Sequence, residues 1–145
     1  MEMSIDKIYQ PVRSTEHHQP LFIADVPAGF PSPAADYEQA PLDLNRYLVK
    51  NPPATFFVRA AGDSMTGAGI RCGDILVVDR SIEPADKKIV IAVVNGEFTV
   101  KRIRIGAGKI ILEAENENYQ PRQITADMEF EVWGVVTAVL HKLYP

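Results

Sequence analysis

The sequence predicts a mostly β fold: a compact antiparallel β domain preceded by one short helix and an extended N-terminal arm. Runs rich in valine, isoleucine and aromatic residues alternate with turn residues beyond Ala54. An Asn-Gly pair separates two of these runs, which is a strong hairpin signal. Prolines recur through the first forty residues, where they oppose helices and sheets. A length of 145 residues is typical of one ordinary domain.

The arm is predicted to cover residues 1–40, because this segment shows no sustained helical or strand period. Its short apolar patch, Leu21 to Ile23, could dock on a surface or pair at a sheet edge. The role of residues 1–20 is left open. The domain proper is predicted to cover residues 41–145.

One short helix is predicted over Leu42 to Lys50. Apolar residues lie there at i, i+3 and i+4 spacing, Asp43 is placed to cap the helix, and an Asn-Pro-Pro sequence stops it. Six strands are predicted after it: Thr55 to Ala61, Ile75 to Asp79, Lys88 to Val94, Glu97 to Ile105, Lys109 to Ala114 and Glu131 to Lys142. Asn95-Gly96 indicates a type I′ turn, so Lys101 lies on the second strand of a hairpin.

Composition disfavours several classes of function. The net charge of -4 and the pI near 5.3 give no sign of a basic face that would neutralise phosphates, so strong direct nucleic-acid binding is not expected. The single cysteine cannot form an internal disulfide, and no signal-peptide pattern is recognised. The longest apolar run, Ile89 to Val94, is far shorter than the roughly 20 residues that span a bilayer. A cytoplasmic protein without a membrane anchor is expected.

Ser64 and Lys101 are the candidate catalytic residues. A serine hydroxyl is a poor nucleophile unless a base takes its proton, and a lysine serves as that base only when desolvation lowers its pKa. Serine and lysine form a known variant of the serine-protease arrangement. Each residue also has a plainer interpretation, since Ser64 follows glycine at a turn and could cap it, and Lys101 could be an exposed edge lysine.

Other side chains are weaker candidates. Two adjacent histidines cannot share one face of a strand or helix, so a solvated pair is favoured over a metal site, and no metal or cofactor is expected. A turn aspartate usually accepts backbone hydrogen bonds, and the cysteine has no neighbouring base, so neither a carboxylate nor a thiol mechanism is favoured. The residues concerned are His17, His18, Asp63, Asp74, Asp79 and Cys72.

Several sequence blocks resemble the LexA/UmuD family of self-cleaving proteins. The resemblance runs from about Leu21 to the C-terminus, and the order and spacing of the blocks carry it. Phe57 to Met65, Gly69-Ile70 and Gly73 to Asp79 resemble the serine motif, and Val100 to Ile103 resembles the lysine motif. Ala28-Gly29 matches the family's scissile bond. Asn116, Tyr119 and Pro121 match a late loop of the family, and Val132 to Val136 matches its closing strand.

Within this family, repressors carry a helix-turn-helix domain before the cleavage bond, which needs about 60 residues. Only 28 residues precede Gly29, so a UmuD-like member is expected rather than a repressor. Ala28 to Tyr37 and the following helix also resemble the UmuD type. One departure is Ala28, where UmuD-type proteins often have cysteine; both side chains are small, so cleavage is still expected.

The resemblance implies cleavage of the Ala28-Gly29 bond. Ser64 would attack the Ala28 carbonyl, Lys101 would act as base and then acid, and the backbone N–H groups of Asp63 and Ser64 would stabilise the oxyanion. It also implies a homodimer, stimulation by a RecA filament on single-stranded DNA, and a UmuC-like error-prone polymerase as partner in the SOS response. The apolar Glu131 to Lys142 run and unpaired strand edges are a further reason to expect the dimer.

Three alternatives remain at this level. One is a non-catalytic dimeric module that regulates a polymerase, and another is a truncated LexA-type or phage-type repressor domain. The third, a membrane signal peptidase, uses a similar dyad but lacks a membrane segment in this sequence. Cleavage within one chain and cleavage between the chains of a dimer are both within reach of the arm.

Overall fold

The structure is a computed structural model that describes residues 2–11, the backbone of residues 18–19, and residues 41–144. The proposed scissile residues Ala28 and Gly29, the patch Leu21 to Ile23 and His17 lie outside this range. The chain divides into two compact units, one of residues 1–11 with 51–145 and one of residues 12–50.

The first unit is built around one antiparallel sheet of eight strands in its described residues. Along the sheet the strands lie in the order β1, β4, β5, β10, β6, β7, β8, β9. Their bounds are β1 Ser4–Tyr9, β4 Thr55–Ala61, β5 Ile75–Asp79, β6 Ile89–Val94, β7 Glu97–Gly106, β8 Lys109–Glu113, β9 Arg122–Gln123 and β10 Phe130–Leu140. The predicted mostly β fold is confirmed.

The six predicted strands are all present, and their ends differ from the prediction by at most two residues. The hairpin between β6 and β7 turns at Asn95 and Gly96, whose φ angles of 50° and 81° are both positive, as a type I′ turn requires. β10, which contains most of the Glu131 to Lys142 run, pairs with β5 on one side and β6 on the other. The position of β10 between two other strands accounts for the apolar character of this run. The run therefore gives no support to a dimer interface.

The second unit contains the predicted helix in a shorter form. α1 covers Leu44–Leu48, preceded by the short strand β3, Leu42–Asp43, which pairs with β2, His18–Gln19. The Asp43 carboxylate accepts from the backbone N–H groups of Asn45 and Arg46 at 3.0 and 3.4 Å, which confirms the predicted cap. The helix ends early because Val49 is already extended.

β1 was not predicted, although it lies within the segment 1–40 assigned to the arm. It pairs antiparallel with β4, and the register shifts between Ile5 and Lys7. This bulge breaks the two-residue alternation, so the apolar residues Ile5 and Ile8 lie three apart and show no strand period. The boundary at residue 40 itself stays a prediction.

A buried cluster joins strands β4, β5, β6 and β7 to the segment that follows β4 and to Met3, which precedes β1. Its fully buried members include Met3, Val58, Met65, Leu76, Ile91 and Val100. Burying such a side chain contributes about 1.5–3 kcal/mol each. The cluster therefore fixes the positions of the residues that follow β4 relative to the middle of β7. Among the residues described, no helix is long and apolar enough to cross a membrane.

Candidate active site

Ser64 lies on the tight turn that follows β4. Gly62 has a φ of 95°, a backbone conformation that residues other than glycine rarely adopt. This conformation lets the chain turn sharply after Ala61. Met65 is fully buried and anchors the far side of the turn, after which Thr66–Ala68 forms one 3₁₀ turn. The Ser64 side chain is thereby directed inward, and the residue has no exposed surface.

Lys101 lies in the middle of β7, opposite Val90 of β6. Since β7 pairs with β6 and β8, it is not an edge strand, and Lys101 is only 7% exposed. The interpretation of Lys101 as an exposed edge lysine is therefore wrong. Its Nζ donates to Ser64 Oγ at 3.2 Å. The fold thus brings together the two residues that the sequence singled out.

The electrostatic surroundings of Lys101 act in two directions. Burial lowers the pKa of Lys101 from 10.5 to about 8, because a desolvated ammonium is costly. At that pKa roughly a tenth of the amine is neutral at pH 7. The carboxylate of Glu2 contacts Nζ, and a negative charge there favours the ammonium form. The pKa of Lys101 thus lies near neutral pH, while the neighbouring Glu2 carboxylate favours the charged form of the amine.

A late loop supports the serine turn from one side. Asn116 Nδ2 donates to the backbone carbonyl of Asp63 at 2.9 Å, and the Tyr119 hydroxyl donates to the Asp63 carboxylate. The Tyr119 hydrogen bond is the largest influence lowering the pKa of Asp63. The Tyr119 ring centroid also lies 5.5 Å from Lys101 Nζ. The sequence identified this loop only by resemblance; its contacts with Asp63 and Lys101 could not be foreseen.

The same contacts bear on the predicted oxyanion donors. The Asp63 carbonyl and the Ser64 N–H belong to one planar trans peptide and point in opposite directions. The carbonyl is held by Asn116 and by the N–H of Thr66 at 3.4 Å. These bonds fix the direction of the Ser64 N–H. The role of Asp63 and Ser64 N–H groups as oxyanion donors stays a prediction.

The sequence did not point to Glu2 and Met3 as residues of this site. The backbone N–H of Met3 donates to Ser64 Oγ at 2.8 Å, and its carbonyl accepts from the Val100 N–H at 3.2 Å. The Met3 side chain is fully buried. A cavity of about 270 Å³ adjoins this segment and is lined in part by Glu2 and Lys101. The residues carry no motif that would have shown this contact.

Asp74 and Asp79 are each engaged in local structure. Asp74 accepts from the backbone N–H of Arg71 at 2.8 Å, as predicted for a turn aspartate, and also contacts His141. Asp79 accepts from the N–H of Ser81 at 2.8 Å and from the Asn51 amide at 3.0 Å. These contacts account for both residues without a catalytic role.

The remaining candidates are the cysteine and the histidines. Cys72 is exposed. The side chain of His18 is not described. In the parts of the chain that the structure covers, no three His, Cys, Asp or Glu residues are grouped to hold a metal ion.

Gly67 is expected to be essential to this arrangement. A Cβ at this position would lie 2.6 Å from the carbonyl oxygen of Glu115, which accepts from the Gly67 N–H at 2.7 Å. Gly67→Ala should therefore displace the late loop, destabilise the fold by about 1–3 kcal/mol and slow the predicted self-cleavage roughly tenfold or more. Urea unfolding and a cleavage time course measure both effects. Gly106→Ala is the control, because a Cβ there meets no atom within 4 Å; equal behaviour of the two variants would contradict the prediction.

A β domain with a buried serine and lysine in contact has the geometry of a serine-peptidase-type site. The family model described as Peptidase S24-like matches residues 20–137, and the chain belongs to this family. Among similar proteins is Protein SamA of Salmonella typhimurium, 49% identical over 92% of this chain and 90% of its own length. Protein ImpA of Escherichia coli is 46% identical, covering 86% and 84%. Protein MucA of Escherichia coli is 40% identical, covering 93% and 92%. The predicted membership among UmuD-like proteins of the LexA/UmuD family is confirmed.

Proposed function

We propose that the protein is a self-cleaving serine peptidase that cuts its own Ala28-Gly29 bond, with Ser64 as nucleophile and Lys101 as base. The observation that carries this proposal is the 3.2 Å contact between Nζ and Oγ of two buried side chains. The pKa of Lys101, lowered to about 8, supports the role of a base near neutral pH.

Catalysis begins when neutral Lys101 accepts the Ser64 proton and Oγ attacks the Ala28 carbonyl carbon. The N–H groups of Asp63 and Ser64 stabilise the oxyanion as the tetrahedral intermediate forms. The Lys101 ammonium then gives its proton to the departing Gly29 nitrogen, which breaks the peptide bond and leaves an ester on Ser64. Water, activated by the neutral amine, hydrolyses the ester. The small side chains of Ala28 and Gly29 let the bond approach a buried serine closely.

The substrate is part of the same molecule or of a second copy, so little affinity is needed. Tethering raises the effective concentration of the bond at the serine, and docking of the arm then controls the rate. A homodimer, a RecA filament on single-stranded DNA and a UmuC-like error-prone polymerase are the proposed partners, in the cytoplasm and in SOS mutagenesis. The family resemblance and the UmuD-like relatives support these partners.

Incubation of the purified chain at alkaline pH tests the proposal, with mass spectrometry of the products. A fragment beginning at Gly29 is expected, and its formation should accelerate when a RecA filament is added. Gly29→Val should block it, because the branched side chain restricts φ and ψ and keeps the carbonyl away from Ser64. Ala35→Val, in the same segment but away from the bond, is the control and should be cleaved at the wild-type rate. Absence of any fragment under all conditions would favour a non-catalytic dimeric module instead.

A further inference from the structure

The N-terminal segment of residues 2–9, made of β1 and the two residues before it, reaches the candidate active site through Glu2 and Met3. It pairs with β4 through Ser4 opposite Ala61 and Ile5 opposite Ala60, and so adds an edge strand to the sheet. On its other side, the Met3 carbonyl accepts from the Val100 N–H and from Thr99 Oγ1, each at 3.2 Å. Main-chain pairing of this kind is how β-strand addition binds a peptide regardless of its side chains.

The backbone N–H of Met3 lies directly against the hydroxyl of Ser64. This N–H donates to Ser64 Oγ at 2.8 Å, so the hydroxyl is already engaged by the N-terminal segment. Because the Ser64 hydroxyl is buried under this segment, a second peptide cannot reach it at the same time. Binding of β1 and docking of any other peptide at Ser64 are mutually exclusive.

Two side chains hold the segment in place without favouring its cleavage. The Met3 side chain is fully buried in the cluster with Val58, Met65 and Val100. The Glu2 carboxylate contacts Lys101 Nζ. This carboxylate favours the ammonium form of Lys101 over the neutral amine that would accept the Ser64 proton, so the bound segment opposes activation of the nucleophile.

We propose that residues 2–9 are an intramolecular inhibitor that occupies the cleft and must be released before the Ala28-Gly29 bond can reach Ser64. The proposal rests on the proposed self-cleavage. It assigns to the N-terminal residues a role separate from that of the cleavage segment: they set the fraction of molecules in which the cleft is open.

Met3→Asp in the full chain is the main test, because a carboxylate in the apolar cluster should expel the strand. Exchange of the Val100 amide, followed by NMR at about pH 6 where Lys101 is charged and cleavage slow, should become roughly tenfold faster. Formation of the Gly29 fragment at about pH 8 should accelerate roughly tenfold as well. Ile82→Asp, which places the same charge at an apolar residue that is 41% exposed, is the control and should match the wild type.

A synthetic peptide with the sequence of residues 2–9 gives a second measurement. Added in excess to Met3→Asp, it should slow cleavage toward the wild-type rate, which loss of folding could not explain. Glu2→Gln is a second variant, which keeps the test decisive if Met3→Asp fails to fold. The Glu2 side chain is 56% exposed, so this change removes only its pairing with Lys101. It should accelerate cleavage by a smaller factor, about threefold.

The outcomes separate this proposal from the proposed function. Unchanged Val100 exchange and an unchanged rate of Ser64 labelling by a fluorophosphonate in both variants would overturn the inhibitor role. A fragment beginning at Met3 would overturn it too, because the strand would then be a substrate. If no Gly29 fragment forms in any variant, self-cleavage fails, while Val100 exchange and Ser64 labelling still decide whether the strand closes the cleft.

Discussion

Replacing Ser64 with alanine is expected to reduce formation of the Gly29 fragment at least about a thousandfold, and replacing Lys101 with alanine should do the same. The reason is that each change removes one half of the contact between Nζ and Oγ. Without the lysine the hydroxyl keeps its proton, and without the hydroxyl the lysine has no nucleophile to activate. The double variant should be no slower than either single one.

The measurement is a cleavage time course by mass spectrometry, together with circular dichroism to show that each variant is folded. Ser81→Ala is a matched serine control, because that hydroxyl bonds to the Asp79 carboxylate away from the site. Lys109→Ala serves the same purpose for lysine, since Lys109 is exposed on β8. Cleavage at the wild-type rate in Ser64→Ala or Lys101→Ala would remove that residue from the mechanism.

The two candidate catalytic residues were predictable because the sequence marks both of their positions. A strand followed by glycine indicates the turn that presents Ser64, and the Asn95-Gly96 hairpin fixes the strand that carries Lys101. The register of that hairpin places Lys101 opposite Val90, in the interior of the sheet. That the two residues belong to one site came from the family resemblance, since neither propensity nor periodicity specifies a contact between residues 37 positions apart.

The contacts around the pair were not predictable, for two physical reasons. β1 carries a bulge, so its apolar residues lose the alternation by which strands are recognised. Met3 contacts Ser64 through a backbone N–H, which every residue except proline has, and Glu2 contacts Lys101 through one acidic side chain, so neither contact leaves a recognisable sequence pattern. The contact of Gly67 with Glu115 likewise depends on how two loops approach each other in space, which local sequence does not determine.

Lys101→Met is expected to abolish cleavage while stabilising the fold at neutral pH. Burial lowers the folded-state pKa of Lys101 to about 8 from 10.5, so the unfolded chain binds the proton more tightly than the folded one. Below pH 8 the charged lysine therefore destabilises the fold by a constant amount, about 3 kcal/mol at most. As pH rises from 8 to 10.5 the unfolded state loses its advantage, and the destabilisation disappears.

Methionine gives an uncharged, unbranched side chain one atom shorter than lysine, so Lys101→Met should gain about 1–3 kcal/mol at pH 7, less the lost contacts with Glu2 and Ser64. The gain should shrink toward pH 10.5. Urea unfolding in the uncleavable Gly29→Val background measures it without loss of protein to self-cleavage. Lys109→Met, at an exposed position, should show no such pH-dependent difference.

In the cleavable chain the rate of cleavage should rise with pH and level off above about pH 8 as the neutral amine becomes dominant. A rate that stays flat from about pH 6 to 10, or a Lys101→Met variant no more stable at pH 7 than at pH 10.5 relative to the lysine form, would show that Lys101 is not the titrating base.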